Sequence, residues 1–328
     1  MLQFTQTIKM IGPGDDLTTL SEKGDHLGVL RYIRAHELRQ PTTVITHGLA
    51  LFGDQLDGAK SCDGASRAAA LEQLCMAAID IQDHELAERC LGQLKDSSLF
   101  DSDGKKTKGA LMRDSDRYRR LLGRCLEAAN DFEGATELYD MMLKKNPSNL
   151  VALQRKYCIL KAQPESTTEA ILKALNEYLG QQLADVSGWY EMAKLRKSLA
   201  DFKGAAYALE QVVLGSPLDS SLHVELAEVY ATIGGLDNLS CARKHMAQAL
   251  ELEPSNLRAQ FGLVSVAQQF LDESLVSSAK QQKENEHDRL VAVELVKYGA
   301  AEVLKAYKGS KMFASVKRVM DDYTENLE

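Results

Sequence analysis

Prolines set the strongest constraint on this fold. The 328-residue chain has only six, and three of them, Pro147, Pro217 and Pro254, each close a stretch rich in Ala, Leu, Glu and Lys. They lie 70 (217−147) and 37 (254−217) residues apart, about two periods and one period of a repeat near 34 residues long. Counting back from each proline brings the stretches into register. From Pro217, a unit starting at Val186 carries Trp189, Met192, Ala193, Ala205 and Leu209; from Pro147, Leu122, Gly123, Leu126, Ala135 and Tyr139 fall in the same frame. The unit ending at Pro254 has Leu226, Ala227, Tyr230, Ala242, Met246 and Ala249, but Leu226 to Ala242 is three residues too long. The surplus is assigned to Gly234–Asn238, read as a turn.

Alternating large and small residues at these offsets form the tetratricopeptide pattern. The small Ala or Gly lets helix A approach helix B, the large residues fill the space between them, and the proline stops helix B. Turns at 130–134 and 200–204 join A to B. The predicted fold class is therefore an all-α tetratricopeptide-repeat α-solenoid, a right-handed superhelix of helix pairs. Weaker copies fit residues 68–95 and 150–183, the latter turning at Gln163-Pro164-Glu165-Ser166. Leu257–Phe270 reads as a further helix A, followed by a polar stretch over Asp272–Asp288 and helices at Arg289–Lys308 and Ser310–Asn326. Upstream, helices are expected over Asp15–Arg39 and Thr46–Phe52, separated by Pro41. Expected organisation is N-terminal helices and linker over 1–65, about five repeats over 66–284 with a polar insertion at 96–109, and capping helices over 285–328.

A net charge of −8 argues against nucleic acid as the main partner, because phosphate binding needs a basic surface. No leader pattern opens the chain and no window nears about 18 consecutive apolar residues, so any membrane contact is expected to be indirect. The six cysteines include no CxxC pair and read as small buried residues in a reducing compartment. The seven histidines show no HExxH and no pair three or four apart; His223 and His245 fall on helices and are expected at the surface or in a groove. No metal or cofactor is implied. Gly53 to Ser61 mimics a phosphate-binding loop, but one residue separates Gly58 from Lys60 and no strand precedes it, so a linker is the expected reading. No serine, cysteine or lysine sits in a nucleophile context, and catalysis is not expected.

In a tetratricopeptide array helix A lines the concave side. Arg117, Arg120 and Arg124 fall on that face in one unit and Tyr190, Lys194 and Lys197 in another; Lys161 is counted with them. On an acidic chain such a basic track is a candidate groove for acidic or carboxylate-bearing peptide segments. A heat-shock-protein clamp would need a Lys and an Asn at positions 5 and 9 of one unit, and no unit here pairs a cation with Asn. A co-chaperone or adaptor binding acidic tails remains the alternative of the same fold.

Two stretches add a narrower resemblance: Asn176–Leu179 with Trp189–Leu195, and Gly234–Leu250 with its Gly-Gly-Leu insertion. With Lys161-Ala-Gln and Phe261-Gly-Leu, they resemble the family of subunit two of the endoplasmic reticulum membrane protein complex, over roughly residues 68–328. The resemblance implies a non-catalytic scaffold, peripheral on the cytoplasmic face of the endoplasmic reticulum membrane, in an insertase for tail-anchored and multi-pass proteins. It also implies partners: insertase subunit three, the tail of subunit five, and a globular cytosolic subunit, eight or nine.

Overall fold

The computed structural model describes residues 17–58, 64–96, 115–276, 286–325 and 327. All regular structure among the described residues is helical, as a tetratricopeptide solenoid requires. In chain order the helices are α1 Leu17–Glu22, α2 His26–Ala35, α3 Pro41–Phe52, α4 Gly64–Asp80, α5 His84–Asp96, α6 Asp116–Ala128, α7 Phe132–Lys145, α8 Leu150–Ala162, α9 Thr168–Gln181, α10 Val186–Ser198, α11 Phe202–Gly215, α12 Ser220–Ile233, α13 Leu236–Leu252, α14 Leu257–Val276, α15 Glu286–Ala306 and α16 Phe313–Glu325. The chain divides into two compact units, Met1–Ser166 and Thr167–Glu328. No helix among the described residues is long and apolar enough to cross a membrane.

Three helix hairpins use one turn device. A residue in the left-handed region ends helix A, and the aspartate after it caps helix B. Gln82, Asn130 and Ala200 have φ of 62°, 61° and 57°. The next residues, Asp83, Asp131 and Asp201, accept hydrogen bonds from the N–H groups of Leu86, Gly134 and Gly204, each at 3.0 Å. The caps satisfy donors that a helix start leaves unpaired. Returning from B to A, Asn149, Asp185, Asp219 and Asn256 cap α8, α10, α12 and α14 in the same way.

The α12–α13 hairpin departs from this device and corrects the sequence reading. Gly234 (φ 73°) and Gly235 (φ 84°) reverse the chain in two residues, a conformation that side chains disfavour. Leu236–Asn238 then form the first turn of α13, which has 17 residues against 14 in α7, α9 and α11. The three-residue surplus therefore lengthens helix B rather than the turn. Asn238 Nδ2 donates to the Gly234 carbonyl at 2.8 Å, and the Gly235 N–H donates to Glu273 on α14 at 3.2 Å.

Helix boundaries differ elsewhere too. Residues expected to form one helix split into α1 and α2 at Gly24, with φ of 68°. Pro41 opens α3 instead of separating it from what precedes: the first helical position needs no N–H, and the ring pre-sets φ. Helix α14 runs on to Val276, through the start of the stretch expected to be polar loop. Lys60, Ser61 and nearly all of the 96–109 insertion lie outside the described residues.

The core of the first unit joins Val29, Leu30, Ile33 and Phe52 to Leu71, Leu74, Leu86, Tyr118 and Leu121, so α2 and α3 share one interior with the repeats. In the second unit Val224, Ala227, Leu239 and Met246 pack with Leu263, Phe270, Val296, Val303 and Met320. Helices α15 and α16 thereby share one interior with α13 and α14.

Candidate partner-binding face

Helix α6 starts at Ser115, whose Oγ accepts the Tyr118 N–H at 3.2 Å. Tyr118 and Leu121 turn inward and are buried. Helical spacing then places Arg117, Arg120 and Arg124 together on the opposite side, all three exposed. Arg117 is ion-paired with Glu72 of α4. Arg120 and Arg124 form no hydrogen bond or ion pair with a described residue. Arg124 lines a cleft of about 510 Å³ with Arg34, Arg39, Gln73, Met76 and Asp80.

Repeat arithmetic could not find the α2 half of this face. Arg39 grips Asp80 through Nε at 3.1 Å and Nη2 at 2.9 Å. Burial holds the Arg34 pKa below its ordinary value, and the Arg31 and Arg117 guanidiniums press it the same way against the pull of Glu72. Positive charge from α2, the segment after it, and α6, which starts 81 residues (116−35) beyond the end of α2, is thus gathered at one place on an acidic chain. Its only signal in sequence is the Arg31–Arg34 spacing on α2. Lys161 lies in the last turn of α8 and does not line the cleft.

In the second unit Lys197, one of the two expected lysines, meets acid. The Tyr190 hydroxyl donates to Glu225 Oε2 at 3.0 Å, and Lys197 bonds the other oxygen of the same carboxylate. That hydrogen bond raises the Tyr190 pKa, with burial adding to it. Lys194 Nζ stands 4.2 Å above the Tyr190 ring, and one helix further on Arg258 Nε donates to Glu228 at 2.6 Å. On the helix-A face of α10, α12 and α14, Lys197 and Arg258 are thus paired with carboxylates, and Lys194 is held over the Tyr190 ring.

The signature positions lie between the helices. Trp189 is buried, donates to the Leu183 carbonyl at 2.9 Å and meets Tyr207 edge-on at 5.9 Å. Gly123 packs on Tyr139, whose hydroxyl donates to Glu127 at 2.7 Å. Ala135, Ala205, Leu226 and Ala242 are buried and Tyr230 half-buried, its hydroxyl bonded to Glu210. Pro147, Pro217 and Pro254 occupy the exposed turns from B to A.

Among the described residues no group of three His, Cys, Asp or Glu could hold a metal ion. The histidines do, however, pair across helices: Nδ1 atoms of His223 and His245 are 3.1 Å apart, and those of His26 and His47 2.9 Å. His223, expected at the surface or in the groove, is buried, because the Pro217 carbonyl at 3.0 Å satisfies its Nε2–H.

Comparison with known proteins gives this architecture a family. Residues 110–244 match the EMC2 TPR-like repeat domain. ER membrane protein complex subunit 2-A of Xenopus laevis is 35% identical over 237 residues, which is 72% of this chain and 72% of that protein. ER membrane protein complex subunit 2 of Dictyostelium discoideum is 25% identical over 303 residues, 89% of this chain and 86% of that one. The matched region holds α6 with its arginines, the Trp189 repeat and the two-glycine turn, and on this similarity the chain belongs to the family of ER membrane protein complex subunit 2.

Proposed function

We propose that this chain is a non-catalytic scaffold subunit of an endoplasmic reticulum membrane protein complex, peripheral on its cytoplasmic face. In this reading it holds cytosolic segments of the membrane subunits in place during insertion of tail-anchored and multi-pass proteins. The partners are the insertase subunit three, the tail of subunit five and a globular subunit, eight or nine. Residues 66–284 supply the binding array, flanked by the segments 1–65 and 285–328.

The observation that carries the reading is the pair Arg120 and Arg124. Both are exposed on one face of α6 without a described partner, beside a cleft that Arg34 and Arg39 also line. A guanidinium is a fork of donors suited to a carboxylate, so a face with unspent guanidiniums favours an acidic segment.

The test is co-purification from detergent-solubilised membranes. The wild-type chain is expected to recover a multi-subunit membrane complex, and Arg120→Glu with Arg124→Glu to lower recovery at least tenfold while far-ultraviolet circular dichroism stays unchanged. Undiminished recovery by the double variant would sink the groove assignment. Recovery of soluble chaperones alone by the wild type would overturn the complex.

A further inference from the structure

Two thiols in the first unit play no part in the reading above. Cys75 on α4 and Cys125 on α6 hold their sulfurs 3.7 Å apart, although 50 residues separate them in the chain. Cys75 is fully buried, as is Cys90 on α5, whereas Cys125 is partly open to solvent. The Cys75 sulfur also lies 3.5 Å from the Ala87 carbonyl oxygen. We infer that Cys125 is a peroxide-sensitive thiol with Cys75 as its resolving partner, so that the oxidised protein carries a Cys75–Cys125 disulfide tying α4 to α6.

Three observations converge on these two residues. The first is reach. Helices α4 and α6 pack against each other, and the sulfurs, 3.7 Å apart, have to close to about 2.05 Å to bond. The second is access, since solvent reaches Cys125 and not Cys75 or Cys90. The third is acidity. A hydrogen bond from Cys75 lowers the Cys125 pKa and the neighbouring Arg124 guanidinium adds to this, against burial and Glu88. The same hydrogen bond and burial push the Cys75 thiol up, while burial pushes Cys90 up to about 12. The more open thiol is therefore also the more acidic of the two, and the thiolate is the nucleophile.

In the first step the Cys125 thiolate attacks one oxygen of a hydroperoxide. The O–O bond breaks, Cys125 becomes a sulfenic acid, and the second oxygen leaves as water or alcohol after taking a proton. In the second step the Cys75 sulfur attacks the sulfenic sulfur; the S–O bond breaks, and the hydroxide departs as water with the Cys75 proton. Two thiols and one hydroperoxide thus give one disulfide, one water, and one water or alcohol. A dithiol reverses the change by exchange.

The test treats the reduced full-length protein with a small excess of hydrogen peroxide, blocks the remaining thiols and maps the peptides. The expected product is an intramolecular Cys75–Cys125 peptide that dithiothreitol abolishes and Cys90→Ala leaves in place. In Cys75→Ala the sulfenic acid should persist on Cys125 and be captured by dimedone, and Cys125→Ser should lose that labelling. Six thiols still free after peroxide, or a disulfide that joins other cysteines, would overturn the assignment; neither of these results in the wild-type protein depends on how any variant folds.

Discussion

Gly123 stands in the middle of α6, where the repeat requires a small residue. A Cβ added there would lie 2.4 Å from the Tyr139 hydroxyl oxygen, 2.6 Å from Cζ and 2.9 Å from Cε1. The obstacle is an aromatic ring with no flexible end to swing aside. Tyr139 is completely buried. Its hydroxyl donates to Glu127 Oε1 at 2.7 Å, and the same oxygen accepts Arg155 Nε at 3.0 Å, so one carboxylate links α6, α7 and α8. The ring cannot retreat without disturbing that link.

Gly123→Ala should gain about 1 kcal/mol in helix propensity. Against this, overpacking a filled interior costs about 1–3 kcal/mol, and a lost hydrogen bond to a carboxylate about 1.5–3 kcal/mol. The net expectation is destabilisation by about 1.5–5 kcal/mol, read from urea unfolding followed by circular dichroism. Gly92→Ala, in a helix position where an added Cβ meets nothing within 4 Å, should instead stabilise by about 0.5–1 kcal/mol. Tyr139→Phe removes the atom in closest conflict, so the double variant should be at least about 1 kcal/mol more stable than the two single losses added together. A Gly123→Ala protein as stable as wild type, or strict additivity with Tyr139→Phe, would refute the steric account of this position.

Gly234 has φ of 73° and ψ of −176°, a region essentially reserved for glycine, so Gly234→Ala should cost about 1–3 kcal/mol in the same urea assay; an unchanged midpoint counts against the two-residue reversal. Burial and the adjacent His223 hold the His245 pKa below its ordinary value, against Glu210. The folded state then binds fewer protons than the unfolded state below about pH 6.5. Stability is therefore complete above that pH and lost as the pH falls toward the depressed value, and His47 acts in the same direction. His245→Gln should flatten the fall in melting temperature between about pH 7 and 5.5, and an identical slope in the variant would remove His245 from the account. Glu225→Ala should release Tyr190 and Lys197 and strengthen binding of a fluorescent acidic peptide to the second unit; equal or weaker binding would show that those cations are not held back by Glu225.

The hairpins were readable because each signature position has one steric duty, and Trp189 through Pro217 display nearly all of them in order. The three-residue surplus was harder, since an insertion in a turn and one in the first turn of a helix look alike until Gly234 and Gly235 are seen to reverse the chain alone. The arginine face was half legible. Spacing put Arg117, Arg120 and Arg124 on one side of α6, but Arg34 and Arg39 arrive by packing of α2 and the segment that follows it. Whether a cation on this face is left free depends on the carboxylates of the neighbouring A helices, before and after it. Tyr190 finds Glu225 35 residues on, Lys197 finds it 28 residues on, and Arg258 finds Glu228 30 residues back. Partners thus recur at about one repeat period. Helix α8, one period beyond α6, reads LVALQRKYCILKA and contains no acidic residue at all. Arg120 and Arg124 therefore have no compensating carboxylate ahead of them on the next helix A, and Arg117 already occupies Glu72 behind. The absence of acid from α8 leaves this stretch of the face positively charged, and it could have been read from the period alone.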